Sequence, residues 1–244
     1  MTADGYRHSC LVLVGAISIL AVPALARTSD GQIQPRSREA VVTGAPYVAD
    51  SIVTVNLTSL GGPADAPVVQ RVVARVYRDS AGRVRREQVP GAQDAPKPAD
   101  SADLVVIILD PVASVVYSLN PATRTAYRMP LGERERTMTA PAIPQSGSVL
   151  TESLGTKQIE GITVTGRQGV ITLPAGQDGR PVEISEERWE SSDLEVAIIE
   201  RHRDSRTGVF EHRLLNIRRI EPAPELFVVP PSYTIVDVPA APRR

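Results

Sequence analysis

The chain has 244 residues, with 27 Lys+Arg against 28 Asp+Glu, a formal net charge of −1 and a sequence pI near 6.3. A balance so close to neutral gives no bulk field that would draw the protein to nucleic acid. Its one cysteine, Cys10, falls in the first apolar run, so a chain without that run has no disulfide, no thiolate metal site and no cysteine nucleophile.

Residues 1–26 read as a secretory signal peptide. Arg7 and His8 make a weakly basic start, CLVLVGAISILAVP (10–23) is the apolar core, and ALA at 24–26 is a small-x-small cleavage site. The apolar run is too short for a membrane span, and Cys10 heads it rather than following the cleavage site, which argues against a lipid anchor. Export to the periplasm or beyond is the expectation, with no membrane span after cleavage. About 215 residues remain, ample for one domain held by its core alone. Residues 27–44 are polar without sustained periodicity and read as a flexible linker. A single β-rich domain is expected over 45–238 and a disordered tail over 239–244. Aromatic residues are only 4 %, so valine, isoleucine and leucine must build the core, and valine favours strands.

The strands are expected in chain order. The first is YVADSIVTVNL (47–57), before the Gly-Gly-Pro break at Gly61. Over 68–79, Val68, Val72, Ala74 and Val76 alternate with Arg71, Arg75 and Tyr77, the period of two of a half-buried strand. SAG (80–82) turns the chain into RVRREQV (83–89), an arginine-studded hairpin. LVVIIL (104–109) is apolar throughout and reads as a central strand covered on both sides. With 114–119 and 123–129 it forms a meander whose turns start at Asp110-Pro111 and Asn120-Pro121, since proline fixes its own φ and pushes the preceding residue out of the α region. Residues 131–148 are a loop or short helix. Two or three strands follow over 150–173, around turns at Glu160-Gly161 and Gln168-Gly169. Another covers 182–191, and 194–221 folds back at 205–208. The proline-rich end packs Leu226, Phe227 and Tyr233 against the domain. The fold class is therefore mostly β: a large, strongly curved antiparallel sheet of about eleven strands with little helix.

Reactive groups are sparse. His202 and His212 flank one predicted hairpin turn and could meet across it, but neighbouring arginines would repel a cation, so they read as solvated sheet-face histidines and no metal is expected. No G-x-S-x-G elbow and no phosphate loop is present, Asp110 before proline reads as a turn cap, and Asn56 of the sequon NLT lies inside a strand. No cofactor and no enzymatic activity are expected; a hydrolase would need a carboxylate or His202 and His212 converging in a cleft. Arginines gather on two hairpins, Arg71–Arg86 and Arg201–Arg219, where carboxylates such as Glu87, Glu195, Glu200 and Glu211 can pair with them across strands.

The order of segments carries a resemblance. VARVYRDSAGRVRRE, VVIILDPVASVVYSLNPATRTAYRMP, the LGTKQIEG segment, the strand around Trp189 and the closing LFVVPPSY resemble a group of uncharacterised exported bacterial proteins of acidobacterial type. The same pattern is similar to the outer-membrane lipoprotein-carrier superfamily (LolA/LolB-like) over about residues 47–238. That resemblance implies a half-barrel sheet whose concave face can hold acyl chains, and it brings no catalytic residues with it. The expected role is binding a lipid, another apolar or amphipathic ligand, or a peptide in the cell envelope. Val115, Tyr117, Leu119, Val72, Val76 and Trp189 are the ligand-facing candidates. An envelope protein bound through Arg83, Arg85 and Arg86, as in a stress-signalling module, is the alternative.

Overall fold

The structure, a computed structural model, describes residues 25–27, 33–35, 41–57, 68–89, 103–131, 148–174 and 181–239. Most of the expected leader, the expected loops over 90–102 and 132–147, and the last five residues lie outside them. Two three-residue strands, β1 (Leu25–Arg27) and β2 (Ile33–Pro35), pair antiparallel as a ribbon of their own, inside stretches read as leader and linker.

The other strands form one open, curved sheet. They are β3 (Tyr47–Leu57), β4 (Val68–Arg78), β5 (Val84–Gln88), β6 (Val105–Asp110), β7 (Val115–Asn120), β8 (Thr125–Pro130), β9 (Ser148–Ile159), β10 (Ile162–Leu173), β11 (Val182–Ser191), β12 (Val196–Asp204), β13 (Gly208–Arg218) and β14 (Thr234–Asp237). Their spatial order is β14-β8-β7-β6-β5-β4-β3-β13-β12-β11-β10-β9. All pairs are antiparallel except β14, which runs parallel to β8. The mostly-β expectation holds, with twelve strands in the sheet. The additional strand is β14, drawn from a tail whose prolines disguise it. Over 150–173 there are two long strands rather than three, because Gln168-Gly169 lies inside β10 and is not a turn.

The turns follow from strand-end side chains. Asp110 accepts the Ala113 N–H at 2.9 Å, and Asn120 accepts the Thr123 N–H at 3.2 Å. Each hairpin then returns through one left-handed residue, Ser114 (φ 55°) and Arg124 (φ 48°). Ser191 repeats the device by accepting the Leu194 N–H, with Glu195 at φ 46°. At Gly82 (φ 82°) only glycine serves, since a Cβ would also lie 2.7 Å from the Val42 carbonyl oxygen.

Two apolar clusters hold the sheet. One gathers Val106 and Ile108 of β6, Leu119 of β7 and Ala126 of β8 under Phe227 of a 3-10 turn, Pro224–Phe227, with Tyr77, Tyr117, Leu226, Val229 and Tyr233 packed around them. The C-terminal segment thus covers one face, the tail face. The other cluster lies where the β11–β12 hairpin curls over the sheet. Leu194 of the turn packs with Tyr47, Ala49, Val76, Ile198 and Leu214, and with Ile162, Val164 and Trp189. Bulges at Gly166/Arg167 and Trp189/Glu190 bend the strands there. Gly166 makes room for Trp189, whose ring would lie 2.5 Å from an added Cβ.

β6 departs from the sequence reading. Leu104, Val106 and Ile108 are buried, but Val105, Ile107 and Leu109 on the opposite face are only half-buried and belong to neither cluster of described residues. A long apolar run marks a strand buried on both faces only when both faces find cover.

Phe227 is 3 % exposed and anchors the whole C-terminal segment. Phe227→Ala is expected to cost about 3–5 kcal/mol, read as a lower denaturant midpoint, with proteases cutting near the C-terminus before the rest of the chain.

Candidate functional site

The face opposite the tail carries the polar chemistry. Across strands, the register sets Val53 beside Val72 and His212, Ser51 beside Ala74 and Leu214, and Arg86 beside Val76 and Ile107. Arg86 reaches past the small Ala74 to donate from Nη1 to Ser51 Oγ at 3.1 Å, and its Nε donates to Gln88 Oε1 at 3.3 Å. Ser51 Oγ lies 3.0 Å from His212 Nε2, and His212 Nδ1 lies 3.6 Å from Glu200 Oε2. Arg188 Nη1 donates to the other Glu200 oxygen, and its Nε lies 3.3 Å from Glu190, which stands 3.8 Å from Arg167. A continuous polar track therefore crosses the sheet from β5 to β10. Half-buried aliphatic side chains flank its Arg86 end: Val53 and Val72 on one side, Val105, Ile107 and Leu109 on the other.

This track changes the reading of the histidines. His212 is not a solvated side chain but a half-buried bridge between Ser51 and Glu200. His202 lies on the same face, beside Phe210 and Glu186 and two residues along β12 from Glu200, the partner of His212. Serine, histidine and glutamate follow one another as in a nucleophilic relay, yet Ser51 is 0 % exposed, so its hydroxyl is closed off from any substrate carbonyl. Among the described residues, no group of three His, Cys, Asp or Glu could hold a metal ion.

The electrostatics follow burial. Burial, the largest influence, raises Glu186 above the ordinary carboxylate range; Glu200 adds to this, while His202, Arg188 and Arg167 oppose it. Burial also lowers the Arg86 guanidinium, with Tyr47 opposing. On the other face, burial raises Glu211, but hydrogen bonds from Arg213 and Arg201 outweigh it and hold the carboxyl below its usual value.

The ligand-facing candidates are divided between faces. Tyr117 and Leu119 point to the tail face and pack around Phe227, and the strand's alternation puts Val115 with them. Val72 and Val76 lie on the track face; Val76 is buried in the Trp189 cluster and Val72 is half-buried. Trp189 sits under Lys157, whose Nζ is 3.4 Å from the ring centroid, and its Nε1 donates to Glu187 at 2.7 Å. The arginines divide too. Arg83 pairs with Asp79 at 2.6 Å and Arg85 with Glu87 at 2.7 Å, while Arg86 points to the opposite face from Arg85. Other arginines pair with carboxylates across strands: Arg201 meets Glu187 and Glu211, and Arg75 meets Asp50. Sequence reasoning missed Ser51, Ile107 and Leu109. The alternation in VVIILD held the signal for Ile107 and Leu109, and nothing in the sequence marked Ser51.

No protein-family model and no curated protein matches the chain. Among solved structures it is similar to the lipoprotein LppX of Mycobacterium tuberculosis, at 15 % identity and TM-score 0.37 over 73 % of this chain and 90 % of that one. It is also similar to a LolA-superfamily protein of Nitrosomonas europaea, at 8 % identity and TM-score 0.36 over 75 % and 90 %. These are likenesses of structure at low identity, and they assign the chain to no superfamily.

Two measurements probe the track. A carboxyl with a raised folded-state pKa binds more protons folded than unfolded, so stability falls as pH climbs from the ordinary glutamate value through the raised one. Glu186→Gln removes that term: the variant is expected to exceed the native protein in urea stability at pH 7, with the gap closing below about pH 4. Glu200→Ala leaves the buried Arg188 without the half-buried carboxylate it holds and is expected to cost about 2–4 kcal/mol, while the double variant Arg188→Met/Glu200→Met loses less than Glu200→Ala alone.

Proposed function

We propose that the protein is an exported, non-enzymatic binding protein that holds an apolar or amphipathic ligand on the track face within the cell envelope. One observation carries this reading. Val105, Ile107 and Leu109 are three large aliphatic side chains in mid-sheet, half-buried and outside both core clusters of described residues. Full burial of such a side chain is worth about 1.5–3 kcal/mol, so a hydrocarbon chain laid along β6 would complete burial the fold leaves unfinished. Val53 and Val72 extend the apolar surface beyond Arg86, and polar groups set among aliphatic ones suit an amphipathic guest.

The leader-like first 26 residues support export. No helix among the described residues is long and apolar enough to cross a membrane. The alternative, an envelope protein docked on the arginine hairpin, draws less support, because Arg83 and Arg85 already hold carboxylates of their own hairpin.

Protein purified from an envelope fraction is expected to begin at Arg27 and to carry a co-purifying apolar molecule detected by native mass spectrometry. Ile107→Thr and Leu109→Gln should each weaken capture of a fluorescent fatty-acid probe severalfold. A native protein that emerges empty and ignores such probes overturns the proposal.

A further inference from the structure

Resting on that reading, we infer that the guest is an anionic single-chain amphiphile whose carboxylate is held by Arg86, with its hydrocarbon lying along Val105, Ile107 and Leu109.

Arg86 stands apart from the arginines around it. On the neighbouring strands Arg75 holds Asp50, Arg83 holds Asp79 and Arg85 holds Glu87. Along the track, Arg188 holds Glu200 and Glu190. Arg78 forms no ion pair among the described residues, but its Nε and Nη2 donate to the carbonyls of Ala45 and Leu194, and its guanidinium lies 4.7 Å over the Tyr47 ring. Arg86 donates only to two neutral oxygens, those of Ser51 and Gln88, and no ion pair joins it to a carboxylate among the described residues. A guanidinium has five N–H donors, so three remain for a guest.

A partly buried cation without a counter-charge is costly. Its cost falls when an anion arrives, and it falls most for a planar carboxylate, which meets the guanidinium fork edge to edge. The neighbouring side chains set the direction of the hydrocarbon behind the headgroup. Arg86 and Ile107 are register partners across β5 and β6, with Val105 and Leu109 two residues away on either side on the same face. The guanidinium itself reaches toward Ser51 on β3, so a carboxylate held there puts its first methylenes over β4 and the aliphatic stem of Arg86, and the chain beyond them meets Ile107 and continues along β6. One guanidinium matches one negative charge, and the next cation on the track, Arg188, is already paired.

Titration of the full chain with dodecanoate and with 1-dodecanol at pH 7 separates headgroup from chain. Dodecanoate is expected to bind about tenfold or more tightly than the alcohol. Arg86→Met should abolish that preference while alcohol binding persists, and Arg86→Lys, which keeps the charge but loses the fork, should fall between. The comparison of the two ligands on the native protein stands even if a variant fails to fold. Equal binding of acid and alcohol overturns the headgroup inference and leaves the apolar face standing, whereas no binding of either removes the face itself. A preference for lysophosphatidylglycerol over dodecanoate overturns the choice of carboxylate.

Discussion

The pairing of β3 with β13 makes one object out of two. Each half of the chain builds a meander from sequence neighbours, β3 to β8 and β9 to β13, and the long-range seam joins them from Gly208 opposite Leu57 to Arg218 opposite Val48. Ser51 and His212 face one another across this seam, so the polar track exists only because the seam forms in that register. A shift of one residue would move His212 to the tail face and leave Ser51 opposite Arg213 or Leu215. The seam ends on a device that holds the register: a bulge after Leu215 puts Asn216 at φ 52°, where its side chain donates to Asp50 at 2.7 Å and its backbone N–H to Glu160 at 2.9 Å.

A single layer must find cover for two faces. The tail answers for one, through Phe227 and the tyrosines beside it, and the curl of β11 and β12 answers for part of the other. Between the two, the sheet uses small side chains and ion pairs in place of a second apolar layer. Ala49, Ser51 and Ala74 are all at 0 % exposure in the central strands, and the space above Ala74 is what lets Arg86 cross to Ser51. Such ionic pairs add little net stability, but each fixes which residues stand side by side.

Much of this architecture was legible in the sequence, for reasons that can be named. Asp-Pro and Asn-Pro closed strands because an acceptor side chain and a fixed φ act within a few residues, and both turns formed where they were expected. The alternation in β4 sorted Val72 and Val76 from Arg75 and Tyr77 correctly. What failed depended on partners far away in the chain. Gln168-Gly169 looked like a turn because glycine usually frees the backbone, whereas Gly166 and Gly169 sit within a strand whose neighbour is Trp189. The ligand-facing candidates were chosen for apolar alternation, which places residues on one face but cannot say which face the tail will occupy; Tyr117 and Leu119 went under Phe227. The track escaped notice because its members come from six strands and no local pattern joins Ser51 to His212.

The sheet never closes, and that has its own consequence. β9 and β14 lie at opposite ends of the strand order, each with a neighbour on one side only among the described residues. At β14 four residues are on offer, tied down by the Arg128–Asp237 pair, but β9 presents twelve, with Leu150 well exposed. A lone outer strand of that length is a template for self-association through backbone amides. The bulge at Leu154 and the charges of Glu152 and Lys157 break its regularity and work against such pairing.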